Sequence, residues 1–380
     1  MVKIDLITGF LGSGKTTFLK KYAKRLMEQG QNIGILENDF GAVNVDMMLL
    51  QELEGEQCEL EMISGGCDPE THRRRFRTKL IAMGMCGYDR VLVEPSGIYD
   101  MDEFFDVLHE EPLDQWYEIG NVIAVVDARL EDTLSPEAEY LLASQAANAG
   151  CMILSKCDTA TEEQRQNTIA HLKRSLAALG CKQRADQKIL CEGAEPLPDQ
   201  DFAEILSCGY HIASYEKPDF AKGQAFESLY FLDMHLEGDA VTAAVKKMLR
   251  DPSCGHIFRV KGFLQNPDGT WLEINATQQE ITRKPIANGQ DVLIVIGENL
   301  VEDTIRAYWK GLRQTMIYVM MALYQEAHGL IRELELKKNT AYAPFEVFDN
   351  ESAGIRLVVT GVGEIAAAAA TAAVCARDGA

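Results

Sequence analysis

Lys15 and Thr16 close the run Gly9-Phe10-Leu11-Gly12-Ser13-Gly14-Lys15-Thr16, with Thr17 directly behind. This spacing, G-x-x-x-x-G-K-[ST], lets the chain curl so that successive N–H groups of Gly9, Gly12, Ser13 and Gly14 point inward at a polyphosphate. A helix starting at Lys15 adds the partial positive charge of its N-terminus. Lys15 then reaches the β- and γ-phosphates, and Thr16 supplies a hydroxyl to Mg²⁺.

A second candidate is Val91-Leu92-Val93-Glu94-Pro95-Ser96-Gly97, an apolar strand that ends in a carboxylate. Ligands gather at the carboxyl ends of parallel strands, so Glu94 is expected to meet Mg²⁺ or its water from the side opposite Thr16. Gly97 can offer its N–H to the γ-phosphate. A third is Ser155-Lys156-Cys157-Asp158, again just past an apolar strand. Asp158 can accept from both the N1–H and the 2-amino group of guanine, a pair that adenine does not present. Ser155 lacks the amide that an asparagine would bring to this position. Between the first two lies Glu37-Asn38-Asp39-Phe40-Gly41, where Asp39 is a candidate for an indirect Mg²⁺ or water contact in a nucleotide-sensing loop, against a plain turn.

These residues need a scaffold that brings strand ends together. From Met1 to about Ala160 short apolar runs alternate with amphipathic helical ones, the pattern of an α/β domain with a mostly parallel sheet. The expected strands are Ile4–Thr8, Asn32–Glu37, Arg90–Glu94, Asn121–Asp127 and Cys151–Ser155. Phe18, Leu19, Tyr22 and Leu26 make one apolar helical stripe, with Gly30 as its cap, and a second helix spans about Thr161–Leu179. Expected boundaries are a P-loop domain over 1–212, a linker over 213–223 and a small α+β domain over 224–313. In that last domain strands at Ser228–Leu236 and His256–Leu264 flank a helix at Asp239–Arg250, and further strands run to Ile296.

The chain is 380 residues, 47% apolar and 25% charged, enough for two or three globular domains. A net charge of -21 excludes a general nucleic-acid or anionic-membrane surface, because excess carboxylates repel phosphates. Without a leader or a long apolar run, a soluble cytoplasmic protein is expected. The ten cysteines are scattered; Cys86, Cys151 and Cys181 sit in apolar runs and read as reduced core residues.

Taken in order, GFLGSGKTT, ENDFG, ISGGC, VEPSG and SKCD resemble the CobW-like GTPases, metallochaperones related to the urease and hydrogenase accessory GTPases. The likeness covers residues 1 to about 312, with Phe258-Arg259-Val260-Lys261-Gly262-Phe263 resembling the family's C-terminal domain. It implies GTP as substrate, Mg²⁺ as cofactor, and handling of Zn²⁺ or Co²⁺ at a Cys-x-Cys-Cys element, for a client metalloprotein or a corrinoid system. Here Cys67-Asp68-Pro69-Glu70 stands at that element. Only Cys67 remains of the three thiols, so a site there would need Glu70, His72 or Cys58 as further donors. The basic run His72-Arg73-Arg74-Arg75-Phe76-Arg77 reads as a solvated helix face or as a dock for an acidic partner.

Residues 316–380 resemble the first strands of the nucleoside phosphorylase and nucleosidase fold, carried by Met316–Ala327 and Val359-Thr360-Gly361-Val362-Gly363. The later ribose- and base-binding segments have no counterpart, so a fusion junction or truncated reading frame is expected rather than a second enzyme. The whole points to a slow GTPase with a metal-handling role, with a homodimer left open. The alternatives are a nucleotide-switched binding module without metal delivery and an ATP-dependent kinase on the same scaffold.

Overall fold

The computed structural model describes residues 1–38, 45–63, 69–97, 99, 101–181, 188–193, 196–213, 215, 226–232, 234–266, 269–287, 289–310, 312, 317–350 and 355–378. The first unit contains β1 (Val2–Thr8), α1 (Lys15–Glu28), β2 (Ile33–Asn38), α2 (Val45–Leu50), β3 (Cys58–Ile63), α3 (Pro69–Gly84), β4 (Arg90–Pro95), α4 (Met101–Leu108), α5 (Leu113–Trp116), β5 (Tyr117–Asp127), α6 (Pro136–Asn148), β6 (Cys151–Ser155), α7 (Glu162–Ala178), β7 (Ile189–Cys191) and α8 (Asp199–Leu206). Its seven strands form one sheet in the order β3-β2-β4-β1-β5-β6-β7, and every pairing in it is parallel.

Helices cover both faces, so β2, β4 and β6 are buried along their whole length. That is why they read as continuous apolar runs rather than as alternations. The sequence pattern missed β3 and β7 because they are the two edges of the sheet. β3, Cys-Glu-Leu-Glu-Met-Ile, buries only Cys58, Leu60 and Ile63, and β7 is only three residues long. In α1 the stripe Phe18, Leu19, Tyr22 and Leu26 is fully buried, each side chain contributing roughly 1.5–3 kcal/mol. Gly30, at φ 78°, closes the helix, its N–H donating to the Met27 carbonyl at 2.8 Å. In α7 the Thr161 hydroxyl and the Gln164 side chain form a reciprocal capping box.

The second unit is a five-stranded sheet, β11-β10-β9-β12-β8, built from β8 (Glu227–Leu232), α9 (Gly238–Met248), β9 (His256–Gln265), β10 (Trp271–Ala276), β11 (Ile281–Ile286), β12 (Val292–Glu298) and α10 (Glu302–Lys310). Its strand pairs are antiparallel. One face packs on α9 and α10 through Val241, Val245, Met248, Ile305 and Trp309. The other presents Phe263, Ile294 and Ile296 to Leu11, Met48 and Leu49 of the first unit, which sets this sheet directly over the phosphate loop. β8 ends at Leu232, short of the expected Leu236, and His235 lies at φ 50°, which extended strand cannot contain.

The third unit has β13 (Ile317–Met321), α11 (Tyr324–Glu333), β14 (Lys337–Asn339), β15 (Glu346–Asn350), β16 (Ile355–Val359) and α12 (Glu364–Asp378), with sheet order β13-β16-β15-β14. The alanine-rich tail forms α12, which buries Ala370 and Val374 against Val347 and Val358. Among the described cysteines Cys151 is buried and Cys181 partly buried, but Cys86 is exposed, contrary to its apolar context. It falls in the turn that leaves α3, where no sheet covers it. Among the described residues no helix is long and apolar enough to cross a membrane.

Candidate nucleotide site

The predicted phosphate-binding residues meet at the carboxyl ends of β1 and β4. Gly12 and Gly14 adopt left-handed φ values of 74° and 91°. Gly9 leaves no room for substitution, since a Cβ there would stand 2.2 Å from the Val125 carbonyl oxygen. Gly14 is the N-cap of α1 and brings no side chain to cap that terminus, so its leading N–H groups face the loop as a ready anion site. Lys15, 7% exposed, donates from Nζ to the Gly9 carbonyl at 3.0 Å and so spans the loop it would fill with phosphate. Thr16 Oγ1 donates to Glu94 Oε1 at 2.8 Å. Thr17 lies exposed on the outer side of the first turn.

Glu94 is 3% exposed and stands in register with the equally buried Glu37 on β2. Next to Glu37, Asn38 is fully buried, and among the described residues neither polar atom of its side chain finds a hydrogen-bond partner; nor does the buried Ser13 Oγ. Glu94 and the Thr16 hydroxyl bonded to it, with Glu37 in register on the neighbouring strand, make a hard-oxygen environment that fits Mg²⁺ and its waters. Gly97 packs so closely on the loop that a Cβ would lie 2.8 Å from the Leu11 nitrogen. Its carbonyl accepts from Gln145 Nε2 at 3.2 Å, a buried contact from α6 that the motifs did not reveal. Asp39 lies outside the described residues.

The base-reading candidates sit two strands away, beyond β5 at the end of β6. Lys156 adopts φ 57°, uncommon for a residue with a side chain. That turn sends its Nζ back to the Gly12 carbonyl at 3.0 Å and to Asp127 Oδ2 at 2.6 Å. Ser155 does not contribute an amide; it fastens the base loop to the phosphate loop, its Oγ donating to the Ser13 carbonyl at 2.5 Å. Asp158 is exposed, and its flank is set by Gly193, where a Cβ would approach to 3.4 Å of Asp158 Cβ. The adjoining Glu192 is buried and ion-paired with Lys21 of α1. Burial holds its carboxyl above the usual carboxylate range while Lys21 pulls the other way. Asp127, Arg129, Gln145 and Glu192 were missed in the motifs. Asp127, a carboxylate closing the apolar run Val122–Val126, carried a signal; the others carried none.

The metal-ligating candidates do not assemble. Cys67 lies outside the described residues. Cys58 opens β3 at the amino edge of the sheet, opposite Thr16 and Glu94, and burial pushes its thiol up to about 11. His72 is buried between α3 and α4 with Nδ1 3.4 Å from Glu103 Oε1. Among the described residues no three His, Cys, Asp or Glu side chains cluster as metal ligands would. In the basic run, Arg73 and Arg77 both pair with Glu110, at 2.7 and 2.9 Å, and so serve internal contacts.

A parallel sheet with this loop between β1 and α1, and carboxylates at its strand ends, defines a P-loop nucleotide-binding domain. More particularly, residues 3–181 match the CobW/HypB/UreG nucleotide-binding domain, so this part of the chain resembles a CobW-like P-loop domain. The chain is 29% identical over 172 residues to the zinc chaperone YjiA of Escherichia coli (strain K12), covering 43% of this chain and 52% of that one. It is also 29% identical over 167 residues to the zinc chaperone YeiR of the same organism, covering 44% and 50%. The zinc-regulated GTPase metalloprotein activator 1 of Schizosaccharomyces pombe is 24% identical over 168 residues, covering 43% and 40%. The chain thus spans about half the length of these curated relatives or less. The structure of Zn(II)-bound YjiA GTPase from E. coli aligns over 82% of this chain and 99% of that one at 20% identity, with a TM-score of 0.30.

Proposed function

We propose that the protein binds GTP with Mg²⁺ and hydrolyses it slowly, and that this cycle governs the handling of a transition metal for a client metalloprotein. The observation that carries the nucleotide reading is the joining of the two ends of the site. Lys156 and Ser155 both bond to carbonyls of the phosphate loop, at Gly12 and Ser13, so a base held beside Asp158 and phosphates held at Lys15 belong to one ligand. Lys15 would bind the β- and γ-phosphates, and Thr16 and Glu94 would hold Mg²⁺, which neutralises phosphate charge when bound. Gly97 would offer its N–H to the γ-phosphate, and Asp39 would make an indirect Mg²⁺ or water contact. Asp158 would select guanine through two acceptor contacts. Turnover is slow in this reading, since the motifs include no arginine finger. The domain division into 1–212, 224–313 and 316–380 belongs to the same reading, with no activity assigned to the last part.

Zinc handling rests on the printed roles of the relatives. A second reading, a nucleotide-switched partner-binding module without metal delivery, is favoured by Pro69 and Glu70 where the family carries thiols. Measuring phosphate release from GTP and equilibrium Zn²⁺ and Co²⁺ binding, with and without GTP, separates the two. GTP-dependent metal binding lost in Cys67→Ala supports the metallochaperone. Hydrolysis without any nucleotide-dependent metal binding supports the switch, and no phosphate release above the Lys15→Ala background overturns both.

A further inference from the structure

The second sheet reaches the nucleotide site through the turn that joins β10 to β11. Thr277 shapes this turn: its Oγ1 accepts from the N–H groups of Gln279 and Glu280, each at 3.3 Å, and its own N–H donates to the Glu280 carbonyl at 2.8 Å. The turn lies against the phosphate loop, since a Cβ at Gly12 would come within 3.3 Å of Thr277 Cγ2. From it Glu280 Oε2 accepts from Arg129 Nη2 at 2.7 Å. Arg129 is largely buried, and its backbone N–H donates to Asp127 Oδ1 at 2.8 Å. The other oxygen of Asp127 holds Lys156 Nζ at 2.6 Å, and that nitrogen also bonds to the Gly12 carbonyl. Arg129 Nε also lies 3.5 Å from Asp127 Oδ1, so carboxylate, guanidinium, carboxylate and ammonium alternate in one line from the second sheet to the base-reading loop.

We infer that Glu280 is a positioning residue for the guanine end of the site, acting through Arg129 and Asp127 on Lys156, so that docking of the second sheet sets the affinity for GTP. This rests on the guanine reading proposed above. Without Glu280, Arg129 can turn both of its donor edges onto Asp127, and Asp127 then competes less firmly for Lys156. Lys156 sits in a turn its own backbone disfavours, so it depends on such partners to stay in place. Thermodynamic reciprocity follows: whatever the docked turn adds to GTP affinity, bound GTP adds to docking.

The test compares GTP with inorganic tripolyphosphate, which can occupy Lys15 and the glycine loop but has no base. In the full-length protein, Glu280→Ala should raise the Kd for GTP about tenfold while leaving the Kd for tripolyphosphate within about twofold. Glu280→Asp should recover most of the GTP affinity, and Arg129→Ala combined with Glu280→Ala should be no worse than Arg129→Ala alone. Glu280 is partly exposed, with 38% of its side chain accessible, so the substitution leaves the fold in place. A GTP Kd that stays unchanged, or equal weakening of both ligands, overturns the inference. A wild-type protein that binds tripolyphosphate but gains nothing from guanosine overturns the underlying guanine reading before any variant is compared.

Discussion

The proposed phosphate end and base end of the candidate site are built in different ways. The phosphate end is made of one short run and its own helix: glycines that tolerate positive φ, a helix terminus with Gly14 as its N-cap, and Thr16 bonded to Glu94 across one strand pair. The base end is assembled from Ser155 and Lys156 after β6, Asp127 and Arg129 after β5, Glu192 and Gly193 after β7, and Glu280 from the second sheet. Backbone geometry secures the first, and side-chain charge relays secure the second. The phosphate end should therefore be rigid and self-sufficient, whereas the base end should answer to events elsewhere in the molecule.

The largest effect should come from breaking the self-sufficient end. Lys15→Ala removes the charge-assisted contact proposed to two phosphates and should weaken GTP by about a thousandfold in isothermal titration, with the circular dichroism spectrum unchanged. Next is the wedge that joins both ends to the second sheet. Phe10 is 5% exposed and meets Phe226 and Phe258 edge-on. Phe10→Ala should cost about 3 kcal/mol in urea denaturation and weaken GTP more than tripolyphosphate.

Asp158→Asn keeps the shape of the base end but turns an acceptor into a donor. GTP should weaken by about thirtyfold, roughly 2 kcal/mol, while xanthosine triphosphate, with a carbonyl in place of the 2-amino group, should gain. Competition with a fluorescent nucleotide reads both. The smallest effect concerns Glu192. Its raised carboxyl means that the folded state holds the proton more tightly than the unfolded chain does, so ionisation takes stability away as pH rises. Relative to wild type, the melting temperature of Glu192→Gln should accordingly improve as pH rises from the usual carboxylate range upward, where a carboxyl with a raised pKa ionises. A trend in the other direction would mean that the Lys21 pair outweighs burial.

How much of this was legible follows the same division. Gly9, Gly12, Gly14, Lys15 and Thr16 were readable because a backbone-built site requires fixed spacing along one stretch of chain. Glu94 and Lys156 were readable because a buried parallel strand announces its own carboxyl end. Arg129 and Glu280 stand 151 residues apart, and nothing in their local sequences distinguishes that ion pair from any exposed one. Gln145 looks like an ordinary helix residue until its amide is placed against Gly97. The edge strands β3 and β7 escaped because one covered face leaves only half the apolar signal. Cys58 was proposed as a metal donor because β3 had gone unread; once the strand is in place, its first residue falls at the wrong end of the sheet.

The central claim is that one ligand spans both ends, a triphosphate at Lys15 and a guanine at Asp158. Displacement of fluorescent GTP from the wild-type protein in Mg²⁺ by unlabelled GTP and by ATP tests it most directly. The account predicts that GTP displaces the probe at a concentration at least about a hundredfold lower than ATP does, and that Asp158→Asn erases this preference. Equal displacement by ATP, or a preference that survives Asp158→Asn, would contradict it.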